Sequence, residues 1–359
     1  MSAAGASTTQ RASSPYLPRL DAGDRVRALV IAALVVFVLL GLPPLMSAYW
    51  TDVATSVAIY SVVALGLNLL IGRVGMISLG QIAVLALGAW IGARLDFGTS
   101  LPFPIVLLLA GLITMVLGTI IGLPALRLSG LYLALITLML AGAITVVLTA
   151  TNFPNGGHGF KGYTDTLQGS TGVRRPSIAT ADGAYFRYVV ICGILMFVLA
   201  LWHVRSKPGR AWAAIRQSEP AALAAGVNIT LYKLWAFALA SFMTGVAGAL
   251  LAAQVNHLYT FQFRTIDSIL LLAVVLMGGI YSLWGAIVAG AFMKLLPALL
   301  DNWGLPADLL TILFGVGIMQ VLLTAPGGVV QQFPRDMAKL GGLLLRLFRR
   351  ATPAREAAK

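Results

Sequence analysis

The sequence predicts an all-α protein, a polytopic transmembrane helical bundle with about ten spans. Three observations carry that prediction. Apolar stretches long enough to cross a hydrocarbon core recur along most of the chain. Of its 359 residues, 59% are hydrophobic and 10% are charged, with a mean hydropathy of +0.90, whereas about a quarter of a soluble domain is charged. The basic residues gather in tails and short loops rather than inside the apolar runs, which is how orientation is set in a bilayer. The 38 glycines suit helices that approach closely in lipid.

Residues 1–28 are polar, carry Arg11, Arg19, Arg25 and Arg27, and read as a cytoplasmic N-terminal tail. A signal peptide is the rival reading, from Arg25 and Arg27 ahead of an apolar run and the cleavage-like Met46-Ser47-Ala48. That run is long for such a signal, and further spans follow it. The transmembrane region is placed at 29–330. Its first span covers 29–49, with Pro43-Pro44 making the end irregular, and its second covers 53–72. The third, 75–93, is interrupted by polar and small residues; the fourth is 102–123 and the fifth 129–150. An external loop over 151–184 follows, and its Asn155-Gly156-Gly157-His158-Gly159-Phe160 cluster sets tight turns and exposes backbone amides. The sixth span is 185–203, a basic cytoplasmic loop covers 204–232, and the seventh span is 233–253. The eighth and ninth, 266–281 and 283–300, join tightly around Gly278-Gly279 and Ser282, and the tenth is 308–325. Residues 331–359 form a basic tail, where 339–350 alternate Leu343, Leu344, Leu345, Leu347 and Phe348 with Arg346, Arg349 and Arg350. That stretch suits either a helix lying on the inner membrane surface, against anionic lipid, or a solubilising tail.

With the amino terminus inside, the inner segments hold Arg73, Arg127, Arg205, Lys207, Arg210, Arg216 and the basic carboxyl tail. The outer segments hold fewer cations: Arg94, Lys161, Arg174, Arg175, Arg187 and Arg264. An even number of spans returns the carboxyl terminus to the cytoplasm. The net charge of +13 comes mostly from these positions and the amino-terminal tail, so it points to membrane orientation and not to nucleic acid.

Several kinds of chemistry lack their residues. No G-x-x-x-x-G-K-[ST] and no H-E-x-x-H occurs, and His158, His203 and His257 are scattered, so the chain calls for no cofactor or metal of its own and no catalytic residue. Cys192, the single cysteine, is an apolar filler. Carboxylates mostly avoid the spans; Asp267, near the start of the eighth, is the nearest to mid-membrane. An ion-coupled secondary transporter is therefore the weaker reading, although broken helices can bind ions through backbone carbonyls.

Two segments stand out as functional. The third span begins Gly72-Arg73-Val74-Gly75-Met76-Ile77-Ser78-Leu79-Gly80-Gln81, with Asn68 just ahead. Glycines that permit bends beside polar groups that need partners in hydrocarbon suit either the lining of a pathway on an interrupted helix or the polar glue between helices. The loop 204–232 breaks at Ser206-Lys207-Pro208-Gly209-Arg210, then forms a short helical run from Ala211 to Gln217. A second short helix starts at Glu219-Pro220, with proline in the first turn and Glu219 near the positive end, and stops at Gly226-Val227-Asn228. A helix this short needs a partner or the membrane surface to hold it.

Five stretches carry a family resemblance. They are Leu65 to Leu70 through Ser78-Leu79-Gly80-Gln81 and Gly88; Leu126 to Ala134; Asn155-Gly156-Gly157 with Gly159-Phe160; Gly209 to Arg216 through Glu219, Gly226 and Tyr232-Lys233-Leu234; and Leu276 to Gly285. In this order and spacing, the chain from about 53 to 330 resembles the LivM-type permeases of branched-chain amino acid ABC importers. The resemblance implies an ABC importer permease fold in the bacterial inner membrane. It implies a second, LivH-like permease beside this one, two cytoplasmic ATPases that bind the ATP, and a periplasmic substrate-binding protein. Arg216, Glu219, Ala222 and Gly226 fall on the family's ATPase-coupling segment, and Asn68, Ser78, Gly80 and Gln81 on its segment around the translocation path. Asn155, Gly156 and Gly157 match its external loop. Leu223 stands where the family often has a second acidic residue, and Gln81 where histidine is common. The implied cargo is leucine, isoleucine and valine; similar importers carry urea, short amides, other amino acids or aromatic acids.

Overall fold

In hydrocarbon no water satisfies a peptide group, so a chain of this hydropathy must close its backbone bonds within helices. The computed structural model describes residues 22–125, 130–150, 173–255, 258–259, 262–324, 328–330 and 332. Its helices are α1 (Ala22–Val36), α2 (Leu42–Leu45), α3 (Ala48–Leu69), α4 (Gln81–Gly98), α5 (Phe103–Ala125), α6 (Leu131–Ala150), α7 (Asp182–Arg205), α8 (Lys207–Gln217), α9 (Glu219–Ala224), α10 (Ile229–Val255), α11 (Ile266–Gly278), α12 (Gly285–Asn302) and α13 (Ala307–Thr324). No strand occurs among the described residues.

The chain divides into two compact units, 1–45 and 46–359. In the first, α1 runs through a π turn, Phe37–Gly41, into α2. The helix begins at Ala22, inside the segment read from sequence as tail. The second unit is built around α10, which packs on α5, α4 and α3; α3 in turn packs on α12 and α7. What allows this centre is small residues. A Cβ at Gly88 of α4 would lie 2.6 Å from Gly245 Cα of α10, so the two backbones meet there without side chains between them.

Six helices are long and apolar enough to cross a membrane, among the described residues: Ala48–Val74, Phe103–Leu123, Tyr132–Ala150, Asp182–Arg205, Ile229–Val255 and Gly285–Asn302. Leu29–Leu45, Ile266–Gly278 and Ile312–Val321 are apolar but shorter. Of the about ten full spans expected, six are long ones among the described residues, and others differ for physical reasons. The first is cut at Met46-Ser47, where the chain leaves the helix and restarts at Ala48. The third does not start at 75: Gly75, at φ 84°, ends the π turn Leu70–Val74, and α4 begins only at Gln81 and carries Arg94 and Asp96 towards its far end. The eighth stops at Gly278 because Gly279 takes φ 116°, which turns the chain into α12. The break expected at Ser206–Arg210 is narrower: Ser206 alone is extended, and α8 accepts Pro208 in its first turn.

Candidate functional site

One end of the bundle gathers the segments singled out in the sequence. The π turn after α3 presents Gly72, where a side chain would strike the Ile280 carbonyl, so α3 lies directly against the turn between α11 and α12. Asn68, fully buried, donates from Nδ2 to the carbonyls of Gly279 (3.0 Å) and Ser282 (3.1 Å). Arg73 donates from Nη2 to the Tyr281 carbonyl at 3.3 Å. Arg216, at the end of α8, donates from Nη1 to the Gly72 carbonyl at 2.6 Å and lies 4.5 Å over the Tyr281 ring. Arg216 is therefore a joint: it ties the α8–α9 elbow to the bulge of α3 and to the α11–α12 turn at once.

The elbow itself is braced. Ser218 caps α9 by accepting from the Ala221 amide at 3.4 Å. Gly226, at φ 79°, closes α9: its amide donates to the Leu223 carbonyl (2.9 Å) and the Val227 amide to the Ala222 carbonyl (3.0 Å). Trp212 is wholly buried and donates from Nε1 to the Tyr232 carbonyl at 2.8 Å. Lys233, 6% exposed, pairs its Nζ with Glu219 Oε1 at 2.6 Å. Lys233 is an inward strut rather than an exposed charge, because Glu219 turns back from α9 to meet it. Ala222 is the buried residue of α9, while Leu223 beside it is 63% exposed. An open groove of about 600 Å³ follows, lined by Glu219, Leu223, Gly226, Asn228, Thr230 and Lys233 among others.

The segment ahead of α4 is held by bonds between helices. The Leu79 amide donates to Thr137 Oγ1 of α6 at 2.9 Å, and Gln81 donates from Nε2 to Thr244 Oγ1 of α10. Ser78 and Gln81 are each 4% exposed, and Gly80 is buried against the Thr137 carbonyl. Within the chain, then, Asn68 and Gln81 join helices, and Ser78 with Gly80 forms the non-helical stretch between them. Thr137 and Thr244, their partners, went unremarked in the sequence, because an isolated threonine inside an apolar run carries no local signal. Asn155, Gly156, Gly157 and His158, Arg127, and the basic tail lie outside the described residues.

The opposite end is polar. Asp96 accepts from the Arg174 amide at 2.9 Å. Arg175 pairs with Asp182 at 2.5 Å and lies 5.0 Å over the Tyr185 ring. Gln254 donates from Nε2 to the Asp52 carbonyl and carboxylate and to Ser56 Oγ, tying α10 to α3. The two ends match the division of basic residues drawn from sequence: Arg73 and Arg216 meet at one, Arg174 and Arg175 at the other. Between them, one charge lies where the sequence reading did not look. Lys294 falls near the middle of α12, its Nζ 4.3 Å over the Tyr60 ring of α3. A lysine deep inside an apolar run was signal enough to find it.

A multi-pass helical bundle whose broken helix packs on the α11–α12 turn, with a short braced helix beside that junction, suits a permease-type membrane transporter. The chain belongs to the family described as branched-chain amino acid transport system / permease component, whose pattern matches residues 49–322. It is 32% identical over 300 residues to the high-affinity branched-chain amino acid transport system permease protein LivM of Salmonella typhimurium, covering 77% of this chain and 69% of that protein. With the protein of the same name from Escherichia coli it shares 31% identity over 300 residues, at the same coverage. No solved structure matches it. No group of three or more His, Cys, Asp or Glu that could hold a metal occurs among the described residues.

Proposed function

We propose that this chain is the permease subunit of an ABC importer that moves branched-chain amino acids, or a related small polar solute, inward across the bacterial inner membrane. Separate ATPase subunits drive it. The observation that carries the reading is the joint at Arg216. A displacement of α9 reaches α3 and the α11–α12 turn through one side chain that is bonded to Gly72 and stacked on Tyr281. Such a contiguous link is what a chain without a nucleotide site needs in order to be moved by one that has it.

In this proposal the groove beside α9 receives a cytoplasmic ATPase, with Arg216, Glu219, Ala222 and Gly226 holding the docking helix in shape. Two ATPases act on this chain and on a second, LivH-like permease, and a periplasmic binding protein delivers the solute to the opposite face, where Asn155, Gly156 and Gly157 lie in the external loop. Asn68, Ser78, Gly80 and Gln81 belong to the moving wall of the path. Their bonds to the α11–α12 turn and to α10 are the contacts that must shift between the two access states. The three shorter apolar helices together with α4 complete about ten crossings with both termini in the cytoplasm. The domain limits are those read from the sequence: tail 1–28, transmembrane region 29–330, tail 331–359.

The test is ATP hydrolysis by the purified complex reconstituted in lipid, containing this chain, its partner permease, both ATPases and the binding protein. The expected result is stimulation by one solute from a panel of leucine, valine, urea and amides, lost when 219–226 is replaced by a flexible linker. Solute movement down an ion gradient by vesicles holding this chain alone, with no ATPase bound, would overturn it in favour of a secondary transporter.

A further inference from the structure

Lys294 is a charge that the importer reading does not use. It lies nine residues after Gly285 (294 − 285) and eight before Asn302 (302 − 294), the ends of α12. At 1.5 Å per residue it is about 12–14 Å from either end of the helix, farther than its four-carbon stem reaches. Every other described cation within a long helix, such as Arg94, Arg187 or Lys233, falls within two turns of a helix end. Its position is fixed by packing. One turn earlier, Gly290 sits against Ser61 of α3, where a side chain would strike the serine hydroxyl. That contact sets the α3–α12 spacing and brings the ammonium 4.3 Å over the ring of Tyr60, itself 4% exposed.

Among the described residues no carboxylate lies within ion-pair distance of Lys294. A cation at this depth held by a ring alone lacks the anion that would offset its desolvation, and ionisable groups in spans face a water-filled cavity or the bundle interior. Lys294 is half-buried in the single chain, so one side of it remains open.

We propose that Lys294 receives the carboxylate of the transported solute midway through the membrane. The solute then carries a carboxylate, unlike urea or a neutral amide. The Tyr60 ring holds the ammonium while the path is empty and yields it to the stronger charge-assisted bond of a carboxylate. Anionic lipid is a poor rival at this depth, since headgroups lie beyond the helix ends. This inference rests on the importer reading.

The experiment uses the complete reconstituted complex and pairs each acid with its own primary amide: leucine with leucinamide, benzoate with benzamide. Uptake is measured for wild type, Lys294→Gln and Lys294→Arg. We expect Lys294→Gln to lower carboxylate uptake about tenfold or more while changing amide uptake far less, and Lys294→Arg to restore most of the loss. Unchanged carboxylate uptake in Lys294→Gln would overturn the proposal. So would an equal loss of acid and amide, the result expected if Lys294 pairs with a carboxylate of the second permease. If the glutamine variant does not co-purify, Lys294→Met takes its place; failure of both where the arginine variant assembles would make the lysine structural and also overturn the proposal. Absence of any binding-protein-stimulated hydrolysis in wild type would instead sink the importer reading. Stimulated hydrolysis with uptake of urea alone would sink only the assignment of Lys294.

Discussion

Helices α10 and α6 are both apolar enough to span a membrane, yet they hold opposite places. The most apolar stretch of Ile229–Val255 is 94% buried within the chain and that of Tyr132–Ala150 only 28%, although the second is the more hydrophobic of the two. In water the greasier helix would go inside. In lipid that driving force disappears, and position is decided by how closely backbones can approach. Helix α10 carries Ala, Gly, Ser and Thr along its length and meets Gly88 and Gly92 of α4 and Gly118 of α5 through them. Helix α6 turns Tyr132, Met139, Val146 and Val147 outward, available to lipid or to a partner.

That contrast can be broken most severely at a single glycine. Gly248 of α10 has the Leu85 carbonyl and the Ala89 amide where its Cβ would stand, whereas Gly142 of α6 has nothing within 4 Å. Gly248→Leu should destabilise the chain by about 3 kcal/mol or prevent its accumulation, while Gly142→Leu stays near wild type. Thermal unfolding in detergent, read side by side, checks both. Equal effects would mean that burial in the single chain does not decide packing.

A smaller loss is expected at Asn68, where Asn68→Leu strips the Gly279 and Ser282 carbonyls of their buried donor. We expect about 2 kcal/mol of destabilisation, with loosening confined to the α3–α11–α12 junction, measured by hydrogen exchange across 276–285. Glu219→Ala removes the partner of a buried Lys233. Because Glu219 is about half exposed, the stability cost should stay near 1 kcal/mol, and the clearer readout is weaker co-purification of the ATPase subunits. For Gln81 and Thr244, a double-mutant cycle with Gln81→Leu and Thr244→Val should return a coupling of about 0.6 kcal/mol, typical of bonds between helices in lipid. A coupling of zero would leave Gln81 free for the pathway alone. The least effect on stability belongs to Leu223→Glu, on the open face of α9: within about 0.5 kcal/mol. Its expected consequence is altered affinity for the ATPase subunits, measured by titration.

The elbow shows how much local sequence can say. Glu219-Pro220 opening a helix and Gly226 closing it were legible from residue type alone, because caps and turns are decided by neighbours in the chain. What Glu219 does was not legible, since its partner lies in the next helix and is buried for reasons of packing. The same holds at Asn68. Its polarity announced that it needed a partner, but the partner is the carbonyl of a turn more than two hundred residues away. Lys294 is the opposite case, a charge visible in the sequence whose meaning came from the ring beneath it.

The sequence by itself determined that this chain is helical, that it lies in a membrane, where most of its helices begin and end, and which residue types interrupt them. Those follow from hydropathy and from backbone preferences that act within a few residues. Tertiary structure alone decided which helix sits at the centre, that Arg216 links the elbow to the bulge of α3, and that Lys294 faces Tyr60 at mid-depth. Apolar helices in lipid are nearly interchangeable in hydropathy, so their arrangement rests on the fit of small side chains and on hydrogen bonds between distant segments.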